Sequence, residues 1–280
     1  MVPLESTETP KVSWTGRPIG ARPSRRMYLY VCLFAMALVA LPFWFWYDTW
    51  FGRVLPDATI AEYLINKDKP RRAQQALVQI GERMSKGDPT IRQFYPNVVE
   101  LAAAPNSELR QTAAWIMGQD KGYEPFHEAL RKQLADPVPL VRRNAALGLA
   151  AFRDSAGIEE IRTMLKPSQV LATKSGKLTY RLKEGDYVNP GTMVARIDEE
   201  ELRAQLPGAL TTKLLSDGAT VKQGQPIAGL AADDAHATEA IRALYLIGTP
   251  ADADLIRPFL RHADPRVSQQ AQNTLAVLSK

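Results

Sequence analysis

Few residues in this 280-residue chain have the type and spacing that chemistry requires. Three histidines, His127, His236 and His262, share no ligand-like spacing, and the single Cys32 excludes an internal disulfide or a cysteine-based metal knuckle. The run Asp198-Glu199-Glu200-Glu201 carries oxygen ligands of the kind calcium takes, yet it reads as a solvated turn. No glycine-rich phosphate loop, nucleophile motif or triad grouping occurs. The sequence predicts no catalytic residue, no metal site and no cofactor, and so a chain that is not an enzyme. What remains is a set of polar pairs, each standing just before an alanine: Gln74-Gln75, Gln111-Thr112, Arg143-Asn144 and Gln269-Gln270. Such groups can bond the backbone of an extended partner, each exposed bond worth on the order of 0.5–1.5 kcal/mol. Gln111, Arg143, Asn144 and Gln270 are the partner-binding candidates, expected to be exposed.

The alanines behind these pairs reveal the elements that position them. Around Ala76, Ala113, Ala145 and Ala271, apolar residues recur four positions away: Ile80, Leu109 and Met117, Val141 and Leu149, Val267 and Leu275. A small residue between larger apolar ones gives a helix face that another helix can approach closely. Prolines such as Pro70, Pro139 and Pro265 sit where a first turn tolerates a missing N–H. Each such helix follows another amphipathic stretch: 58–65, 90–103, 123–134 and 253–260. Trp115 and Met117, aligned with Leu147 and Leu149, are assigned to the core. The unit resembles the HEAT repeat, whose second helix commonly opens with Asp-Pro and Val-Arg; here these are Asp136-Pro137, Val141-Arg142 and Asp264-Pro265. In such solenoids the second helices line one face, and the polar pairs there resemble the asparagine ladder of armadillo repeats.

Between Ala145 and Ala271 the period fails, because residues 167–231 are rich in glycine and alternate in strand fashion. Removing them leaves about two periods, completed by 157–165 and a weaker second helix at 237–248. The insertion is itself duplicated. Gly176, Gly185, Val188, Gly191, Val194 and Ile197 recur as Gly208, Gly218, Val221, Gly224, Ile227 and Leu230, with one extra residue before the second turn. This resembles the biotinyl/lipoyl barrel of two quasi-symmetric halves. Carriers of that family bear a lysine between methionines at the hairpin joining the halves; here the joint is Asp198–Arg203 and has none. Membrane fusion proteins, the periplasmic adaptors, use the same barrel but separate its halves by a long helical hairpin, which six residues cannot supply. HEAT-type deoxyhypusine hydroxylases bind iron through several His-Glu pairs, whereas this chain has the single pair His127-Glu128.

Residues 27–47 carry no charge and, as a helix, span about 30 Å, enough to cross a hydrocarbon core. Phe43 to Tyr47 and Trp50 resemble an interfacial aromatic belt. Arg17, Arg22, Arg25 and Arg26 precede the stretch while only Arg53 closely follows it, so the N-terminus is expected in the cytosol and 51–280 outside, periplasmic in a bacterium. The formal net charge of +5 is spread thinly over the folded part, which argues against nucleic acid.

The expected fold is mainly α: an α-solenoid of about five HEAT-like helix pairs with an inserted small all-β lipoyl-like barrel, preceded by a transmembrane helix. The expected domains are a disordered basic cytosolic tail (1–26), the span (27–47), repeats (57–166), the barrel (167–231) and further repeats (232–280). The function expected is a membrane-anchored, exported scaffold or accessory subunit that binds protein partners of a membrane or envelope complex, with the bilayer held through 27–47. The alternatives are a transport or secretion adaptor related to membrane fusion proteins and, more distantly, a HEAT-type lyase or hydroxylase.

Overall fold

An uninterrupted apolar run with no acidic residue in its first turn forms helix α1 (Arg25–Trp46), and the residues up to Val54 make a unit of their own. The structure, a computed structural model, describes residues 24–46, 54–66 and 68–279. The tail expected at 1–26 lies almost wholly outside these residues, as do Tyr47, Trp50 and Arg53 and the side chains of Phe45 and Trp46. By length and composition α1 can cross a membrane, as a membrane anchor or a signal sequence does.

The second unit begins at Leu55. Its helices alternate between shorter first helices and longer second ones: α2 (Asp57–Ile65) with α3 (Pro70–Ser85), α4 (Tyr95–Leu101) with α5 (Ser107–Met117), and α6 (Glu124–Gln133) with α7 (Pro139–Ala151). Then come α8 (Ile158–Met164) with α9 (Asp234–Ile247), and α10 (Ala253–Ile256) with α11 (Pro265–Leu278). The second helices pack in series, α3 on α5, α5 on α7, α7 on α9 and α9 on α11. Ala76, Ala113, Ala145, Ala243 and Ala271 are all buried at those contacts. The helices α5 and α7 come close where a Cβ on Gly118 would lie 2.8 Å from the Gly148 Cα.

Two first helices are shorter than their apolar patterns predict. The stretch 90–103 splits into a 3-10 segment, Pro89–Phe94, and α4; 253–260 splits into α10 and a second 3-10 segment, Arg257–Arg261. Pro96 and Pro258 supply the reason, since a proline has no N–H to continue the helical ladder. Arginines at matching places tie successive repeats together. Arg110 donates to the carbonyls of Ala104 and Pro105 and to both carboxylate oxygens of Asp136, at 2.6 and 3.0 Å. Arg142 repeats this one unit later, on the carbonyls of Asp136 and Pro137 and on Glu160 at 3.0 Å.

Among the described residues, eight strands lie between α8 and α9: β1 (Ser168–Leu171), β2 (Gly176–Tyr180), β3 (Tyr187–Val188), β4 (Met193–Ile197), β5 (Glu200–Arg203), β6 (Gly208–Lys213), β7 (Thr220–Val221) and β8 (Pro226–Leu230). They form two antiparallel sheets, β1-β8-β6-β3 and β5-β4-β2-β7. The order follows from the duplication. Exchanging β1 for β5, β2 for β6, β3 for β7 and β4 for β8 turns one sheet into the other, so each half lends strands to both. Hydrogen bonds obey the same exchange: Gly191 N to Ala204 O and Gly224 N to Ala172 O are both 2.8 Å. So do conformations, with φ of 92° at Gly185 and 83° at Gly218. The inner faces close on Leu178, Val188, Val194, Ile197, Leu210, Val221, Ile227 and Leu230, a core separate from those of the helices.

Candidate functional site

Five second helices laid side by side bring matched positions into rows. The position two residues after the buried alanine holds Val78, Trp115, Leu147, Tyr245 and Asn273. In a helix, two residues on is about 200° around the axis, so these positions turn away from the buried alanine, although Leu147 still packs on the neighbouring core. Val78, Trp115 and Tyr245 are 39%, 49% and 43% exposed, and Leu147 is half-buried. Trp115 is therefore not a core residue, as its alignment with Leu147 suggested; Met117 and Leu149, four after the alanines, are. Large apolar residues repeating at that place are the sequence signal for the row.

Beside Trp115 the row opens into a groove of about 360 Å³ between α5, α7 and α9, lined by Trp115, Gln119, Asn144, Leu147, His236 and Leu246 among others. Gly81 clears room for the indole: a Cβ there would meet Trp115 Cζ3 at 2.6 Å. Gln119 Nε2 is buried in the groove wall without a hydrogen-bond partner. The Arg242–Glu239 ion pair, at 2.9 Å, stands on the rim.

The four polar candidates do not form one exposed ladder. Asn144 lines the groove, but its Nδ2 donates to the Gln111 carbonyl at 3.0 Å, tying α7 to α5. Gln270 bonds Thr274 within α11 at 3.3 Å. Arg143 is 5% exposed, turned toward α8 with its Nε 3.8 Å from Glu160, so its expected exposure is corrected. Burial pulls its guanidinium below the ordinary value, against the opposing pull of Glu160. The flank on which α8 and α9 close over α7 decides this, and α7 alone does not reveal it.

The remaining chemistry-bearing residues serve the fold. His127 Nε2 lies 2.8 Å from Asp154 and its Nδ1 3.1 Å from Glu124, so the pairing is not with Glu128. The bond with Glu124 raises its pKa most, ahead of the opposing effect of burial and the help of Asp154. Burial would raise Asp154, yet Arg131, the Ala156 N–H and His127 bring it to about 2. In the acidic run, Asp198 (φ 55°) and Glu199 make the two-residue turn from β4 to β5, and Asp198 accepts from Lys177 N at 2.9 Å. Glu200 pairs with Lys174 at 3.1 Å and Glu201 with Arg203, so the run is half strand rather than a free solvated turn. Among the described residues no group of three or more His, Cys, Asp or Glu is placed to hold a metal ion.

A family model of HEAT repeats matches residues 95–173, from α4 to just past β1. Among solved structures the chain is similar to the complex of CpcE and CpcF of phycocyanin lyase from Nostoc sp. PCC7120. The identity is 16% and the TM-score 0.45, over 82% of this chain and 68% of that one. No curated protein matches. The expectation of a chain that is not an enzyme is corrected by this neighbour, a lyase complex.

Proposed function

We propose that this HEAT-repeat chain is a membrane-anchored scaffold or accessory subunit that holds a protein partner on the face of its second helices. The reading is supported above all by the row Val78, Trp115, Leu147 and Tyr245, in which a large apolar side chain recurs at the same place in four repeats and three of the four are open to solvent. Stacked repeats offer long surfaces suited to such binding without an enclosed pocket. Trp115, beside the groove, is the anchor expected to contribute most, as half-open tryptophans do at interfaces. Gln111, Asn144 and Gln270 flank the row and bond the partner's backbone with whatever donors and acceptors their own helices leave free. In this reading α1 is an uncleaved anchor, with the N-terminus cytosolic and the repeats in the periplasm or its equivalent. The division into repeats 57–166, barrel 167–231 and repeats 232–280 belongs to the same proposal. So does the likeness of the β module to a lipoyl barrel, which the exchange of strands between two halves supports. Asp198 and Glu199 hold the tip where carriers of that family place their lysine.

The test is a photo-crosslinking amino acid placed at 115, and separately at exposed Gln272, in the full chain in its own membrane. A single protein species joined from 115 and not from 272, and lost in a Leu147→Glu/Tyr245→Glu variant that melts normally, is the expected result. Equal labelling from both positions, or none from 115, overturns the reading.

A further inference from the structure

The turn between α2 and α3 gathers basic side chains without the carboxylate partners that several other repeat arginines have. Several arginines elsewhere have carboxylate partners: Arg83 has Asp57 and Asp88, each at 2.7 Å, Arg110 has Asp136, and Arg162 has the buried Asp252 at 2.6 Å. Residues 67–72, Lys-Asp-Lys-Pro-Arg-Arg, hold four basic side chains against one acidic. Lys69, Arg71 and Arg72 are exposed and form no ion pair with a described carboxylate; Arg72 instead lies over the Tyr63 ring, 5.2 Å from its centroid. These cations also stand at the start of α3, which has no acidic residue in its first turn and no side-chain cap. Positive charge at that end opposes the helix dipole, so it does nothing for the helix's own stability. Ile65, which closes α2 beside them, is 69% exposed.

A local rule broken without compensation within the fold is a mark of function. We propose that this turn rests on an anionic phospholipid surface, its cations on headgroup phosphates and Ile65 among the upper acyl chains. The proposal uses the reading of α1 as an anchor. Charge complementarity fits anionic lipid, and basic residues beside an apolar one are the composition of interfacial segments. Nucleic acid would match the charge but leave Ile65 in water. The connection from Trp46 to Asp57 is residues 47–56, eleven steps that fully extended reach no more than about 40 Å. With α2 adding about 14 Å, a tether of that length permits the turn to reach a headgroup layer around the span.

The experiment uses the full chain with Cys32→Ser and Ile65→Cys, labelled with an environment-sensitive nitrobenzoxadiazole dye and reconstituted into vesicles. One set is phosphatidylcholine alone and the other contains about one-third phosphatidylglycerol. Expected in the anionic set are a blue-shifted emission and quenching by headgroup-nitroxide lipid. Both should fall at least about five-fold in K69Q/R71Q/R72Q, or in about 0.5 M salt, while a label at Gln272→Cys shows neither. Unchanged melting of the triple variant shows that it folds. A label at 65 that stays in water, is quenched equally in both sets, or answers only to an oligonucleotide or inorganic phosphate overturns the proposal. Carbonate washing reports on the anchor separately: a chain that washes off, yet whose label entered the anionic vesicles beforehand, breaks the anchor reading and upholds this one.

Discussion

The helical repeats and the β module are both built by duplication, but they keep their copies to different standards. In the β module almost every inward residue, turn glycine and cross-half hydrogen bond has a counterpart. Among the repeats only the buried alanine, the next large apolar residues and some prolines and arginines recur, while first helices range from four residues in α10 to ten in α6. Closure explains the contrast. Each half of the β module completes the other's sheets, so a register change in one half damages both. A helix pair meets only its neighbours, so each interface can drift so long as it buries its own apolar face. That freedom is what lets one face of the repeats carry Trp115 and Tyr245 in the open.

The contrast is broken most severely by Phe126→Ala. Phe126 is fully buried against Tyr95 and Tyr123, with ring centroids 4.6 and 4.9 Å away. A loss of about 3–5 kcal/mol is expected in urea titrations read by helical circular dichroism. Amide-exchange protection of 168–230 should stay as it was; a matching loss there would mean that the two regions share one cooperative unit.

A finer break comes from Gly208→Ala and its counterpart Gly176→Ala. At Gly208, with φ of 154°, the new Cβ would sit 2.4 Å from the backbone oxygen of Ala231. At Gly176, with φ of 158°, the obstacles are side chains, the Asp198 carboxylate at 2.2 Å, which can rotate away at the cost of its bond to Lys177 N, and the Ile197 Cγ2 at 2.8 Å. The first substitution should cost about 2–3 kcal/mol and the second about 1 kcal/mol less, by thermal melting of the two variants. Equal losses would show that the pseudo-symmetry holds in energy as well as in geometry.

The smallest effect is expected from removing the β module altogether, joining Lys166 to Ala232 through a short flexible linker. The Tyr187 hydroxyl donates to Asp233, the N-cap of α9, and that bond is lost with the module. The helical transition should shift by only about 1 kcal/mol. Loss of cooperative melting would show that the repeats need the strands.

Much of this was legible in the sequence because both regions repeat. The alanine register located α3, α5, α7 and α11, and the glycine spacing located both halves of the β module. Two misreadings have one physical source. Alignment with Leu147 points Trp115 to the core, though a step of two from Ala113 turns it outward. Arg143, a step of two before Ala145, was expected in solvent, yet α8 and the Asp233 end of α9 lie over that side of α7. A helix's own periodicity divides buried from open around its axis; which flank a neighbour then covers depends on residues up to 90 positions away, as Arg143 and Asp233 illustrate. The split first helices were readable at Pro96 and Pro258.

Ser168, which opens the β module, is paired with Leu230, which closes it. This pairing sets the order of events when the chain folds. As a flexible stretch, 167–231 would cost about 2 kcal/mol more than a loop of a few residues to bring α8 and α9 together. Once the strands have zipped, the two ends already lie side by side, and the remaining search is that of an ordinary helix–helix turn. The module thus works as a clasp: a long interruption in sequence becomes a short one in time, and the fourth helix pair can assemble on the schedule of its neighbours.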